Sequence, residues 1–331
     1  MTIVYRLYRK HIQRLIILLL LIALLQSCYG MINQTSQNYP SKNTSSDCQI
    51  AQHEFGESCI PRRPKRAIVM DQESLEILLA LGINPIATTT PNLVGSKLPI
   101  LRDRIRTIAD LGKEGQPNLE KIVQLKPDLI MGLYLTPQIY SVLSQIAPTL
   151  PIQYSQTGWK DILRQVAKNL DRSQEAKKLL VAYQQRIDTL RLRFAQKTGN
   201  LKVCVMRFYT NVQFTQFLND RSFQINVLEE LKILSIPEFQ RQQQQLPHSD
   251  WGYVMVSLEN IDWLNANVIF VALDPGAEKS FQQYTDSPLW QTLKAVKQHQ
   301  VYTVSSGYWI FGNILSANAI LDDLVKYLLD S

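Results

Sequence analysis

One uninterrupted amphipathic stretch near the middle of the 331-residue chain constrains the fold more than any other feature. The stretch from Asp171 to Ala195 holds 25 residues and contains neither Gly nor Pro. Its apolar side chains recur every three or four residues, at Ala176, Leu179, Tyr183, Ile187, Leu190 and Phe194. That spacing predicts an amphipathic helix about 37 Å long. We interpret it as a stiff strut between two domains, the alternative being a surface helix of a single domain.

Short apolar runs alternate with helical patterns on both sides of this strut, which is typical of α/β domains with parallel sheets. Before the strut, strands are predicted at 66–70, 85–89, 107–111, 128–133 and 150–154, and helices at 73–81, 117–125 and 138–146. After it, strands are predicted at 201–208, 268–273 and 301–304, and helices at 223–231, 257–264, 289–296 and 316–329. The expected fold is α/β, with two mainly parallel lobes at 64–157 and 199–331 and the linker helix region at 158–198.

The first 27 residues are predicted to be a signal peptide. A basic segment from Arg6 to Arg14 precedes eleven apolar residues, Leu15 to Leu25. A permanent membrane-spanning helix needs about 20 such residues, so a membrane anchor is the less favoured alternative. Residues 29–47 are rich in Asn, Gln, Ser and Thr without an apolar period. We therefore interpret 28–63 as a flexible tether.

The end of the apolar run resembles the lipobox of bacterial lipoproteins. Leu25, Gln26, Ser27 and Cys28 follow its order of leucine, two further residues and cysteine. The resemblance implies that Cys28 becomes the first residue of the mature protein and carries lipid on its thiol. Acyl chains contribute about 0.8 kcal/mol per buried methylene, so several of them hold a protein at a membrane. The tether is thus expected to be lipid-anchored, on the periplasmic side of the cell membrane.

Composition and charge exclude some classes of partner. Charged residues make up 19% and hydrophobic residues 45% of the chain, which is a soluble globular profile. The formal net charge is +7, and removal of the four cations of the signal peptide leaves +3. This charge is too mild to indicate a nucleic-acid partner, and it is compatible with an anionic small ligand.

The remaining cysteines are expected to have structural roles. Cys48 and Cys59 are close in sequence, and export places them in an oxidising compartment. We expect them to form a disulfide, with two free thiols as the alternative. Cys204 lies in an apolar run, which favours a small core residue.

Neither a metal site nor a catalytic motif is apparent in the sequence. The three histidines outside the signal peptide, His53, His248 and His299, lie far apart without metal-ligand spacing. The chain has no Gly-rich phosphate loop, no G-x-S-x-G and no H-E-x-x-H motif. We therefore predict a binding protein that is not an enzyme and has neither a cofactor nor a protein-bound metal.

Five segments resemble the periplasmic binding proteins for siderophores and cobalamin. They occur in the family's order over about residues 60–330, at Pro117–Ile122, Leu125–Ile130, Val256–Asn260, Ala266–Phe270 and Pro288–Tyr302. The resemblance implies two lobes with a ligand cleft between them, and a monomeric protein that delivers its ligand to an ABC permease. The leading hypothesis is a ferric siderophore, which supplies its own iron ligands. The alternatives are a carrier of cobalamin or haem, a protein that reports bound ligand without transport, and an enzyme on a related scaffold.

The ligand-binding residues are expected beyond the carboxyl ends of the strands, where open α/β sheets bind ligands. Arg and Lys suit the anionic oxygens of a chelate, and aromatic rings supply flat apolar walls. The candidates are Lys97, Lys113 and Tyr134 in the first lobe and Arg207, Tyr209, Tyr308 and Trp309 in the second. A solvated strand-end charge is the alternative for Arg207, and simple packing is the alternative for Trp309.

Two acidic residues are expected to face the permease. The resemblance implies that Glu120 and Glu259, one in each lobe, meet arginines on the permease subunits. Each also lies near the start of a predicted helix, where the helix dipole favours a carboxylate. Helix capping is therefore the alternative role.

Replacement of Cys28 by serine tests export and lipidation. Cys28→Ser removes the thiol that would carry lipid, so we expect the protein to leave the membrane fraction or to keep its signal peptide. Cell fractionation and mass spectrometry measure both effects. Finding residues 1–27 still attached to the native protein would contradict the assignment.

Overall fold

The computed structural model describes residues 48–90, 101, 104–153, 158–208, 214–217, 222–232, 234–237 and 252–330. Within these ranges, no helix is both long enough and apolar enough to cross a membrane. The predicted signal peptide and Cys28 lie outside the described residues.

The folded body begins earlier than the sequence indicated. Strands β1 (Cys48–His53) and β2 (Gly56–Pro61) form an antiparallel hairpin. A disulfide joins Cys48 to Cys59 across it, as expected. Residues 48–61 are therefore part of the structured protein and not of the tether, because the hairpin supplies the backbone hydrogen bonds that a solvated linker lacks.

The first lobe contains one six-stranded sheet with the strand order β6-β5-β4-β3-β7-β8. All its neighbouring strands are parallel except β5 and β6. The strands are β3 (Ala67–Val69), β4 (Ala87–Thr90), β5 (Ala109–Lys113), β6 (Gln116–Pro117), β7 (Leu129–Leu133) and β8 (Thr149–Ile152). The helices are α1 (Gln72–Ala80), α2 (Leu119–Leu125) and α3 (Pro137–Ile146). Pro117 does not start α2 as predicted, because it belongs to β6 and Asn118 caps the helix.

The linker region contains two helices, α4 (Trp159–Asn169) and α5 (Ser173–Lys197). Helix α5 is 25 residues long, like the predicted strut, and begins two residues later. Its apolar stripe is buried at Ala176, Tyr183, Ile187, Leu190 and Phe194.

The second lobe also contains six paired strands. Its main path is β12-β10-β9-β13-β14, and β11 pairs with β9. The strands are β9 (Leu201–Phe208), β10 (Phe214–Phe217), β11 (Leu234–Ser235), β12 (Tyr253–Val256), β13 (Val268–Leu273) and β14 (Val301–Ser305). The helices are α6 (Phe223–Glu230), α7 (Glu278–Thr285), α8 (Lys294–Lys297), α9 (Ser306–Trp309) and α10 (Ile314–Leu324). Two 3₁₀ helices lie at Leu258–Leu264 and Trp290–Thr292, and a π-helical turn at Val325–Leu329 follows α10.

The central strands β3, β7, β9 and β13 are buried on both faces, as expected for strands covered by crossover helices. Along β9, Val203 and Val205 point into a central core, whereas Cys204 and Met206 point into an outer one. The central core is continuous from the inner face of the first sheet, through α4 and α5, to the inner face of the second. The lobes and the linker therefore pack as one apolar unit.

Candidate functional site

The topology of the first sheet indicates where a ligand would bind. Strands β4 and β5 lie on one side of β3, and β7 and β8 lie on the other, so the strand order reverses between β3 and β7. Ligand crevices of open α/β sheets occur at such a point, outside the carboxyl ends of the strands. Asp71 follows β3, and Tyr134 follows β7 with 43% of its side chain exposed. Tyr134 therefore lies where a ligand-binding residue was expected.

Asp71 ties these two strand ends together. Its Oδ1 accepts a hydrogen bond from the Ser74 backbone N–H at 2.7 Å, which caps helix α1. Its Oδ2 accepts from the Leu133 backbone N–H at 2.6 Å and from the Ser74 hydroxyl at 2.9 Å. Gly132 allows this close approach, because a Cβ there would lie 2.9 Å from the Met70 Cβ. The carboxylate thus fixes the start of helix α1 against the end of β7.

Two further acids on α1, Glu73 and Glu76, are buried beside Asp71. Burial, and next the negative charge of Asp71 and then of Glu114, raise the pKa of Glu73 well above its ordinary value. Burial also raises the pKa of Asp71, against hydrogen bonds that favour its ionised form. Burial raises the pKa of Glu76 to about 7, although the Ser316 hydroxyl and two backbone N–H groups bind its carboxylate. In the part of the chain that the structure describes, no group of three or more His, Cys, Asp or Glu side chains is arranged to hold a metal ion.

Arg207 forms a buried ion pair at the corresponding edge of the second sheet. Its Nε donates to Asp274 Oδ1 and its Nη2 to Asp274 Oδ2, both at 2.8 Å. The pair joins the end of β9 to the residue that follows β13, and Arg207 is only 1% exposed. The N–H groups that Asp274 engages cannot also bind a chelate unless this pair breaks. A solvated charge, the alternative for Arg207, does not describe the structure, and its ligand contact stays a prediction.

The aromatic candidates of the second lobe pack against the protein itself. Trp309 is fully buried, stacks on Phe270 with ring centroids 4.6 Å apart, and donates from Nε1 to Asp323 at 2.7 Å. Packing, the stated alternative, therefore describes Trp309 better than a cleft wall. Tyr308 is half-buried, and its hydroxyl donates to Asp323 at 2.9 Å. Burial, followed by the Asp323 charge, raises the pKa of Tyr308.

The remaining ligand candidates are only partly described. Lys113 ends β5 with an exposed side chain, at the carboxyl edge of the first sheet. Lys97 and Tyr209 lie outside the described residues. Lys113 and Tyr134 thus share one edge of the sheet as predicted, and the contacts of the other two candidates stay predictions.

Glu120 and Glu259 lie one in each lobe, each beside an edge strand of its sheet. Each is exposed on the first turn of a short helix that follows an outermost strand of its sheet, β6 for Glu120 and β12 for Glu259. The sequence predicted neither β6 nor β12, so the position of both residues after a strand differs from the expectation. Both residues are exposed.

A family model described as "Periplasmic binding protein" matches residues 68–308 of the chain. The chain belongs to this family. It is 31% identical to the "Probable siderophore-binding lipoprotein YfiY" of Bacillus subtilis, over 97% of this chain and 99% of that protein. It is 27% identical to the "Fe(3+)-citrate-binding protein YfmC" of the same organism, over 97% of this chain and 98% of that protein.

The fold is similar to that of a solved siderophore complex. The structure of Staphylococcus aureus SirA complexed with staphyloferrin B superposes with a TM-score of 0.72 and 26% identity, covering 85% of this chain and 98% of that chain. The predicted two-lobed α/β fold of a periplasmic binding protein is therefore confirmed.

Sequence reasoning missed the buried acids of this binding protein. The order Asp71, two residues, Ser74 at the start of an apolar helix is an N-cap signal that could have located Asp71. Nothing in the sequence marks Glu73 and Glu76 as buried, because glutamate on a helix is ordinarily exposed. Asp274 precedes Pro275 and Gly276, a combination that indicates only a turn.

The raised pKa values of the α1 acids predict that stability increases as pH falls from 8 to 5. The folded protein holds protons on these carboxyls that the unfolded chain releases above about pH 4.5, so acidification favours the folded state. Each extra proton gives a slope of about 1.4 kcal/mol per pH unit. Urea unfolding at pH 5, 6, 7 and 8 measures the free energy of unfolding.

Glu76→Gln should reduce this slope between pH 5 and 7, and Glu57→Gln, which changes an exposed acid, should leave it unchanged. His53 lowers the free energy of unfolding as pH falls below 6.5, since burial lowers its pKa in the folded protein. The wild-type protein and Glu76→Gln share this contribution, so it cancels when their slopes are compared. A free energy of unfolding that rises with pH over this window would contradict the assignment.

Proposed function

We propose that this protein is the substrate-binding component of an ABC importer and carries a ferric siderophore between its two lobes. The observation that carries the proposal is the full-length similarity to a siderophore-binding lipoprotein, on a fold that holds staphyloferrin B in SirA. A carrier needs two rigid walls and a cleft, and the central core supplies rigidity to both lobes.

The polar groups at the strand ends support a binding role and not a catalytic one. Asp71 is bonded to Ser74 and Leu133, and Arg207 is bonded to Asp274. These bonds fix the strand ends that would border the cleft in the two lobes. A ferric chelate brings its own iron ligands, so the protein need only match its shape and charge, with Lys113 and Tyr134 at the edge of the first sheet.

One relative and the cationic residues among the candidates favour an anionic carboxylate chelate. Iron–citrate complexes are anionic, and a relative named for Fe(3+)-citrate covers nearly the whole chain. Lys97, Lys113, Tyr134, Arg207 and Tyr209 remain the proposed contacts. Besides any contact with the chelate, Arg207 would fix the end of β9 against Asp274, the residue that follows β13.

The protein would be attached to the membrane and would deliver its chelate to the permease. Lipid on Cys28 would hold the protein at the outer face of the membrane, with residues 29–47 as the tether. Glu120 and Glu259 would then dock one on each permease subunit. Their exposure beside an edge strand in each lobe supports this role, because one anchor on each lobe fixes the register of a two-lobed carrier.

Titration calorimetry on the purified mature domain tests ligand capture. Ferric citrate, a ferric hydroxamate and a ferric catecholate are compared with the iron-free chelators, cyanocobalamin and haemin. We expect at least one ferric chelate to bind with a dissociation constant below ~1 μM, or about −8 kcal/mol. Binding of cyanocobalamin or haemin, without binding of any ferric siderophore, would contradict the proposed ligand and identify another chelate in its place.

Charge reversal at the docking residues separates delivery from capture. Glu120→Arg with Glu259→Arg should leave chelate affinity unchanged and abolish uptake of the radiolabelled iron chelate, because each anchor would then repel the permease arginines. Glu57→Arg with Glu278→Arg reverses one exposed acid near each lobe outside these anchors and should preserve uptake. Normal uptake by the first double variant would refute the docking role.

A further inference from the structure

Helix α1 of the first lobe reaches into the second lobe with two side chains one helical turn apart. Gln72 Nε2 donates to the Gly307 backbone oxygen at 2.5 Å. Glu76 Oε2 accepts from the backbone N–H groups of Asn313 at 2.9 Å and Ser316 at 3.1 Å, and its Oε1 accepts from the Ser316 hydroxyl at 2.6 Å. A single carboxylate therefore receives three hydrogen bonds across the lobe boundary.

The three donors lie at the N-terminus of α10, for which Asn313 is the capping residue. The first N–H groups of a helix have no partner within it, and a negative charge is favoured there. In this protein the partner is Glu76 from the other lobe, and it is fully buried. Gly312 permits the approach, since a Cβ at that position would lie 2.3 Å from the Ser316 Cβ and 3.3 Å from Glu76 Oε1.

Asn313 connects the same point to the linker region. Its Nδ2 donates to the Trp159 backbone oxygen at 3.0 Å. Trp159 begins α4, is buried, and donates from Nε1 to Asn226 of the second lobe at 3.0 Å. The first lobe, the linker and the second lobe are thus hydrogen-bonded to one another around Asn313.

We propose that Glu76 is a positioning residue that sets the angle between the two lobes and so holds the cleft in the geometry that receives the chelate. This inference rests on the proposed function only for its ligand. The three bonds differ from ordinary core contacts because the carboxylate and its donors belong to different lobes. Loss of these bonds leaves buried N–H groups without an acceptor, which is costly. Separation of the lobes would let water reach those N–H groups.

Spin labels on the two lobes measure this angle directly. Gln145→Cys and Lys297→Cys place labels on exposed positions of the first and second lobes, and Cys204 is buried. In the ligand-free protein, Glu76→Gln should broaden the inter-label distance distribution by electron paramagnetic resonance and lengthen its mean, because the amide is neutral and leaves one oxygen in place of two to accept the three donors. Glu57→Gln is the control and should leave the distribution unchanged, because Glu57 is exposed and its carboxylate accepts a hydrogen bond from Gln52 of the neighbouring strand.

Chelate affinity of the same variants is the second measurement. Glu76→Gln should weaken binding of the ferric chelate about tenfold, the change that 1.4 kcal/mol produces. Ser316→Ala removes one of the three bonds and should give a smaller change in both measurements, which keeps the inference testable if Glu76→Gln does not fold. An unchanged distance distribution in a folded Glu76→Gln or Ser316→Ala protein overturns the inference. Failure of the wild-type protein to bind any ferric chelate would refute the proposed function, and the distance measurement would still decide the role of Glu76.

Discussion

The apolar core shared by the two sheets and the linker helices is the constraint on which the rest of the structure depends. Helix α5 contributes Tyr183, Ile187, Leu190 and Phe194 to that core, and Val203 and Phe270 of the second sheet lie in the same cluster as Val69 of the first. A close-packed interior does not deform gradually. The lobes are therefore expected to differ little in orientation between ligand-free and ligand-bound states.

Within this rigid frame, the polar groups at the strand ends form structural pairs across element boundaries. Asp71 joins β3 to β7, Arg207 joins β9 to the end of β13, and Glu76 joins the first lobe to the second. Buried polar groups of this kind are stable only when each is hydrogen-bonded. The same bonds therefore keep the walls of the cleft in fixed positions before a ligand arrives.

The elements that were predicted most accurately are those buried on both faces. Strands Leu201–Phe208 and Val268–Leu273 have the predicted bounds, because a doubly covered parallel strand is a continuous apolar run. Strands Phe214–Phe217 and Tyr253–Val256 were missed, since each spans only 4 residues and the first has two polar residues between its phenylalanines.

The site was harder to predict than the fold. The strand-end rule placed Lys113 and Tyr134 at the expected edge, but it could not distinguish a side chain that faces the cleft from one that packs inward. Trp309 is an example, because its core position depends on Phe270 and Asp323, which are distant in sequence. The buried contacts of Glu76 depend likewise on a second lobe that begins about 120 residues further along the chain.

The position of bound iron tests the central claim most directly. Crystals of the protein grown with a ferric chelate, measured at the iron absorption edge, give an anomalous difference peak at the metal. We predict one strong peak between the carboxyl ends of the two sheets, within reach of Tyr134 and Lys113. A peak elsewhere on the surface, or iron bound by protein side chains without a chelate, would contradict it.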